Sequence, residues 1–319
     1  MSEEANVAIA CQGGGSHTAF SAGVLQELLP AIERRGDRLV GLSGTSGGAF
    51  AAVAGWYGSQ TASTTPEAVL EDLWAELAAS SPAAQIGNDA LVWTTFLENT
   101  GVPIPEVSPY QHPFAGWGQE QLREALTEVV DFGAIPDLAT PAAPELVVGT
   151  VDINAGTFET FTNEAVTATA VLASAAVPQL FPAVEIDGDS YWDGLFSQNP
   201  PIGDLYDVPA ERKPDELWVV QINPQTRSGT PTTLREIVDR RNELAGNLSL
   251  NQELQVVEQI NGFLDAGYLP DEEYRRTAIR RLGFDGERPY ASKLDRSPEF
   301  VSELIETGRE RARQFLADL

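Results

Sequence analysis

Lysine is almost missing from this 319-residue chain: Lys213 and Lys293 are the two it has, and cysteine and methionine occur once each, at Cys11 and Met1. A single cysteine excludes an intrachain disulfide, and with it the small disulfide-stapled secreted scaffolds. Basic residues number 20 against 47 acidic ones, a formal net charge of -27. Such a surface repels phosphate backbones over roughly a Debye length, about 8 Å at physiological salt, so nucleic acid is not an expected partner. An acidic, lysine-poor surface instead suits concentrated salt, where self-repulsion is screened, and it predicts a halophilic source. Long apolar runs are lacking too. None reaches the ~18 residues of a membrane span, and the acidic start MSEEANVAIA has neither the basic nor the apolar region of a signal peptide. The expected location is the cytoplasm, in solution or at the surface of a storage granule or a membrane.

Hydrophobic residues make up 42% of the chain, enough to build a full core in one α/β domain. Val7 to Ala10 read as a strand. Gly13, Gly14 and Gly15 follow, and then Phe20, Val24, Leu25, Leu28, Leu29 and Ile32 recur at helical spacing. A second such unit comes at once, with a strand around Leu39 to Leu42, a Ser/Gly turn and a small-residue helix from Gly48 to Trp56. Two successive strand-to-helix units predict a mainly parallel sheet covered by helices. Helical pieces are expected at Glu67 to Ala79 and Asp89 to Asn99, a hairpin around Asn154-Ala155-Gly156, and a second hairpin turning at Asp187-Gly188 and ending at Trp192. DELWVVQINP reads as a buried strand stopped by Pro224, and the last helix is predicted to start at Ser297-Pro298.

GTSGG, residues 44 to 48, fits the G-x-S-x-G elbow, in which a strand turns sharply into a helix and presents Ser46 at the bend. A serine nucleophile needs a base, and the histidines are His17 and His112, both ahead of Asp193. Ser-Asp-His order cannot be built, because no histidine follows. Asp-His-Ser order finds acids ahead of His17 only in the N-terminal tail, and His-Asp-Ser order would need His17 and Asp37 to close on Ser46. A carboxylate is therefore the expected base. Asp193 in YWDGLFSQNPPI fits, shielded by Tyr191 and Trp192 in a way that would raise its pKa. It fits equally as a turn residue accepting backbone hydrogen bonds. The three glycines can turn several N–H groups towards one point at a helix N-terminus, an anion site. A nucleotide phosphate is the rival occupant, but Thr18 stands where G-x-G-x-x-G needs glycine and the Gly-Lys pair of a P-loop is absent. The oxyanion of acyl transfer is the better fit.

QGGGSHTAFSAGVL, GLSGTSGG, ASAAVPQLFPAV and YWDGLFSQNPPI, in this order over roughly residues 7 to 205, resemble the four blocks of the patatin-like phospholipase family. The resemblance implies a Ser-Asp dyad, with Ser46 as nucleophile, Asp193 as general base, the amides of Gly13, Gly14 and Gly15 as oxyanion hole, and no cofactor or metal. It implies one patatin-like α/β domain over 1-319: a mainly parallel sheet flanked by helices in a core of about 7-205, with a further strand and helices over about 206-319. Two positions depart from the family pattern. His17 stands where the family usually has an arginine bracing the glycine loop, and Leu195 follows Asp193-Gly194 where glycine or alanine is usual.

Family members cleave carboxylic esters at lipid interfaces, and some relatives depolymerise intracellular polyhydroxyalkanoate. The net charge of -27 does not suit an anionic bilayer, and a halophilic archaeon's ether lipids would offer no ester. Storage polyester is thus the first expected substrate, a lipid acyl ester the second, and a non-catalytic granule- or lipid-binding protein the alternative outside enzymes. Trp93, Phe96, Phe114 and Trp117 could face either substrate, with core packing their default. Asp187 and Asp189 are read as turn formers rather than metal ligands, and Cys11 as a buried strand-end residue. Arg275, Arg276, Arg280 and Arg281 are expected to pair with acids such as Glu272 and Glu273 on a solvated face.

Overall fold

The computed structural model describes residues 4–99, 107–111, 115–284 and 288–319. His112, Phe114 and the side chain of Phe96 lie outside the described residues. In chain order the elements are β1 (Asn6–Cys11), α1 (Ala19–Arg35), β2 (Arg38–Thr45), α2 (Gly47–Gln60), α3 (Pro66–Leu77), α4 (Pro82–Asn99), α5 (Ala115–Val129) and the single turn α6 (Ile135–Leu138). There follow β3 (Glu145–Asp152), β4 (Thr157–Thr162), α7 (Ala168–Ser174), β5 (Val184–Ile186), β6 (Asp189–Asp193), β7 (Glu216–Gln221), α8 (Leu234–Asp265), β8 (Ala278–Gly283) and α9 (Pro298–Ala317).

The sheet runs β5-β6-β3-β2-β1-β7-β8, with β4 also on β3. Pairing is parallel from β3 through β2, β1 and β7 to β8, and antiparallel where β3 meets β4 and β6. Because side chains alternate along a strand, β1 and β7 feed two separate cores. Val7, Ile9, Trp218 and Val220 join the side chains of α1, α2 and α9 on one face. Ala8, Ala10, Leu217 and Val219 meet Leu250, Leu254 and Val257 of α8 on the other. Helices α1 and α9 cross closely enough that a Cβ on Gly308 would lie 2.2 Å from the Phe20 carbonyl oxygen. The fold is a helix–sheet–helix α/β architecture with C-terminal helices, as the strand-helix alternation predicts.

Two expectations need correcting. AIRRLG, residues 278–283, is the edge strand β8, and its arginines do not pair with Glu272 or Glu273: Arg280 reaches Glu216, Arg275 Asp215 and Arg276 Asp265. The fold brings these side chains partners on β7, just ahead of it and at the end of α8. Trp93 and Trp117 are exposed rather than in the core. The last helix starts as expected, with Ser297 at the N-cap and Pro298 in the first turn of α9, and the Ser297 amide donates to Asp295 Oδ1 at 2.9 Å. Among the described residues no helix is long and apolar enough to cross a membrane.

Candidate active site

Ser46 sits between the last residue of β2 and the first of α2, with φ 57° and ψ -133°. That left-handed φ is strained for a residue with a Cβ and persists only where the surroundings hold it. Ser174 on α7 supplies part of the hold: the Ser46 amide donates to its Oγ at 2.9 Å, and that hydroxyl donates to the Gly149 carbonyl at 2.6 Å. The Ser46 carbonyl accepts the Ala49 amide at 2.8 Å and so opens α2. Ser46 therefore stands at the positive end of a 14-residue helix, where developing negative charge is favoured.

Strand register brings Asp193 to it. Thr45 pairs with Gly149 in the parallel β2–β3 ladder, and Asp193 pairs with the next residue, Thr150, in the antiparallel β6–β3 ladder. Strand β4 covers the opposite edge of β3 at the same positions. Strands β2 and β6 thus run towards each other along one edge of β3, and their C-terminal ends meet. Asp193 is fully buried there. Its Oδ1 accepts the Leu195 amide at 2.8 Å, while Oδ2 has no hydrogen-bond partner. Burial pushes the carboxyl up to about 7; the nearby Ser46 hydroxyl and the Leu195 amide offset part of that rise. The Ser46 hydroxyl thus favours the charged form of the carboxylate.

The glycine loop leaves β1 beside this pair, and its three glycines differ. A Cβ on Gly13 would lie 2.7 Å from the Ser46 Cβ and 2.5 Å from the Thr45 carbonyl oxygen, so glycine is required here by close approach. The Gly13 amide already donates to Asn199 Oδ1 at 2.7 Å, and its carbonyl accepts from Asn223 Nδ2 at 3.1 Å. Gly14 is half-buried and Gly15 exposed, the latter at φ 60°. Behind the loop, Gln12 Oε1 accepts the amides of Ile222 and Asn223, and Gln12 Nε2 donates to Asn247 Oδ1 at 2.9 Å. This buried amide lattice ties the loop to β7 and α8. No residue type in it announces such a role, since its members lie up to 235 positions apart; the family blocks containing Gln12 and Asn199 pointed near it.

His17 is buried between Phe284 and Phe300, with ring centroids at 5.4 and 6.0 Å. Burial, reinforced by Lys293 and Arg288, pushes its pKa down to about 3, so it is neutral. Its Nε2 lies 2.8 Å from Ser292 Oγ, whose own proton goes to the Pro289 carbonyl, so the imidazole is the donor. His17 thereby ties the loop to residues 290–293, where the Lys293 carbonyl would meet a Cβ on Gly15 at 2.4 Å. Cys11 is fully buried and its thiol is pushed up to about 12. Asp187 and Gly188 both take positive φ in the tight β5–β6 turn.

A family model described as patatin-like phospholipase matches residues 9–206, well over half of the chain. No curated protein sequence matches it. Among solved structures, the chain is similar to VipD from Legionella pneumophila, at 14% identity and a TM-score of 0.47, covering 99% of this chain and 67% of that one. It is similar also to the type III effector protein ExoU, at 15% identity and a TM-score of 0.37, covering 99% of this chain and 53% of that one. A full-length ExoU from Pseudomonas aeruginosa in complex with SpcU gives 14% identity and a TM-score of 0.35, with 98% and 53% covered. The chain spans about half the length of these ExoU structures.

Proposed function

We propose, since this chain belongs to the patatin-like phospholipase family, that it is a serine carboxylic-ester hydrolase acting on lipid acyl esters through Ser46 and Asp193. The observation that carries this reading is the meeting of β2 and β6 on one edge of β3, which sets a buried carboxylate with a pKa raised to about 7 beside a serine at a helix N-terminus. In the first half-reaction Ser46 Oγ attacks the ester carbonyl carbon and its proton passes to the Asp193 carboxylate. The oxyanion is received by the amides of Gly14 and Gly15, at the positive end of α2. Gly13, whose amide serves Asn199, holds the loop against Ser46. Collapse breaks the C–O bond, the departing alkoxide takes the proton from Asp193, and acyl-Ser46 remains. Water then gives its proton to Asp193, its oxygen attacks the acyl carbon, and the acid leaves as Ser46 regains the proton.

Intracellular polyester is the second reading, favoured by the net charge of -27, which disfavours anionic bilayers. We take residues 206–319 as part of the same catalytic unit, because β7 pairs with β1 and β8 with β7, and the working location as a water-insoluble ester surface in the cytoplasm. Acid release from phosphatidylcholine vesicles, native polyhydroxyalkanoate granules and a short soluble ester, with Ser46→Ala and Asp193→Asn alongside, tests the proposal. A loss of about a thousandfold or more in both variants is expected. Release that survives Ser46→Ala would remove the dyad, and binding without hydrolysis of any substrate would make this a non-catalytic granule- or lipid-binding protein.

A further inference from the structure

Helix α8 begins at the end of the sheet where Ser46 and Asp193 meet. Asn247 takes a hydrogen bond from Gln12, just beyond β1, and donates to the Pro224 carbonyl, just beyond β7. The far end reaches the opposite end of the sheet, where Asn261 bonds to Thr277 ahead of β8. Its inward residues Asp239, Glu243 and Asn247 are buried. The exposed residues between 237 and 255 are Ile237, Arg241, Leu244, Leu248, Gln252 and Gln255, which at 100° per residue fall on one outward face. Leu234, 83% exposed, extends that face by one turn. In a chain with 47 acids, this outward face carries none among the described residues, and the one charge described on it is Arg241.

We infer that the outward face of α8 from Leu234 to Leu248 docks the enzyme on a zwitterionic phospholipid surface, at the catalytic end of the sheet. The inference rests on the lipid-ester reading given above. The face is roughly 20 Å long and about 10 Å wide, on the order of 200 Å², well short of the ~800 Å² per partner of a stable dimer. A bilayer needs no shape complementarity and accepts such a stripe by partial burial of its apolar side chains, with Lys or Arg at the headgroup level. Arg241 sits in the stripe to meet headgroup phosphate. The acidic remainder of the surface disfavours anionic bilayers and leaves zwitterionic ones as the match.

Partition onto phosphatidylcholine vesicles by flotation, in low and high salt, tests this without any turnover. Wild type should float with the vesicles. The double variant Leu244→Asp/Leu248→Asp should lose about tenfold or more of that partition while keeping its Tm, and Phe158→Asp, on exposed β4, should keep it. A polarity-sensitive dye on Leu248→Cys, with Cys11 buried and unreactive, should shift to the blue on vesicle addition. Absence of partition by wild type, or partition unchanged in the double variant, overturns the proposal. So does a fall in molecular mass in the double variant, which would assign the face to a second copy. Wild-type hydrolysis of a short soluble ester reports on the dyad separately. Flotation without hydrolysis keeps the docking face and sinks the reaction, and hydrolysis without flotation does the reverse.

Discussion

The Gly13 amide donates to Asn199 Oδ1 at 2.7 Å, so the first of three consecutive glycines is committed to the scaffold. Asn199→Ala would leave that buried amide unpaired, at a cost of about 1–3 kcal/mol, and would free the loop that carries Gly14 and Gly15. The expected outcome is a lower Tm together with a fall of about tenfold or more in kcat/KM on a soluble ester. A Tm loss with kcat/KM intact would show that the bond stabilises the fold without positioning the loop.

Asp193 has to be ionised to accept the Ser46 proton, and burial holds its pKa up at about 7. Rate should therefore rise with pH below 7 and level off above it. Stability runs the other way. The folded carboxyl keeps its proton up to about 7 and the unfolded one only to about 3.8, so this group's contribution is best below pH 4 and is lost as pH rises towards 7, by at most about 4 kcal/mol. Asp193→Asn should abolish turnover while melting above wild type at pH 8 and close to it at pH 4. Scanning calorimetry at the two pH values checks the sign.

Gly13 and Gly87 should respond oppositely to alanine. At Gly13 the new methyl would lie 2.7 Å from the Ser46 Cβ and 2.5 Å from a carbonyl oxygen, and neither neighbour is a flexible chain end. Several kcal/mol of destabilisation is expected, about 3 or more, read as insoluble or inactive protein. At Gly87, inside α4, the methyl meets nothing within 4 Å. Helix propensity then predicts a gain of about 1 kcal/mol, measured as a small rise in Tm.

His17 is neutral at every working pH and donates to Ser292. His17→Ala should cost about 1–3 kcal/mol from the lost bond and packing. The rate limb near pH 7 should stay where it is, because that limb belongs to Asp193. Were the limb to vanish with His17, histidine would be the base and the Ser-Asp assignment would go.

Local features of the site are legible in the chain because they depend on neighbours in sequence. Gly-Thr-Ser-Gly-Gly after a buried run announces an elbow, Asp187-Gly188 announces a tight turn that both residues adopt with positive φ, and a shortage of histidine pushes the base towards a carboxylate. Elsewhere the same kind of reading falls short for identifiable reasons. AIRRLG lacks the apolar run of a buried strand because it forms the sheet edge, where Arg280 pairs with Glu216 on β7 and Arg281 reaches Asn251 on α8. Trp93 and Trp117 look like core by composition, and the packing of α4 and α5 leaves them in solvent.

By itself, then, the sequence determined the α/β class, the family, the serine at the bend and the carboxylate to look for, since each follows from residue type and short-range order. Tertiary structure alone decided that Ser46 and Asp193, 147 positions apart, share one edge of β3, because strand register is a long-range property. It also decided which amide of the glycine loop is already taken, and that His17 is neutral while Asp193 is poised near 7. Those last facts come from desolvation, and a side chain loses water only when the rest of the chain closes around it.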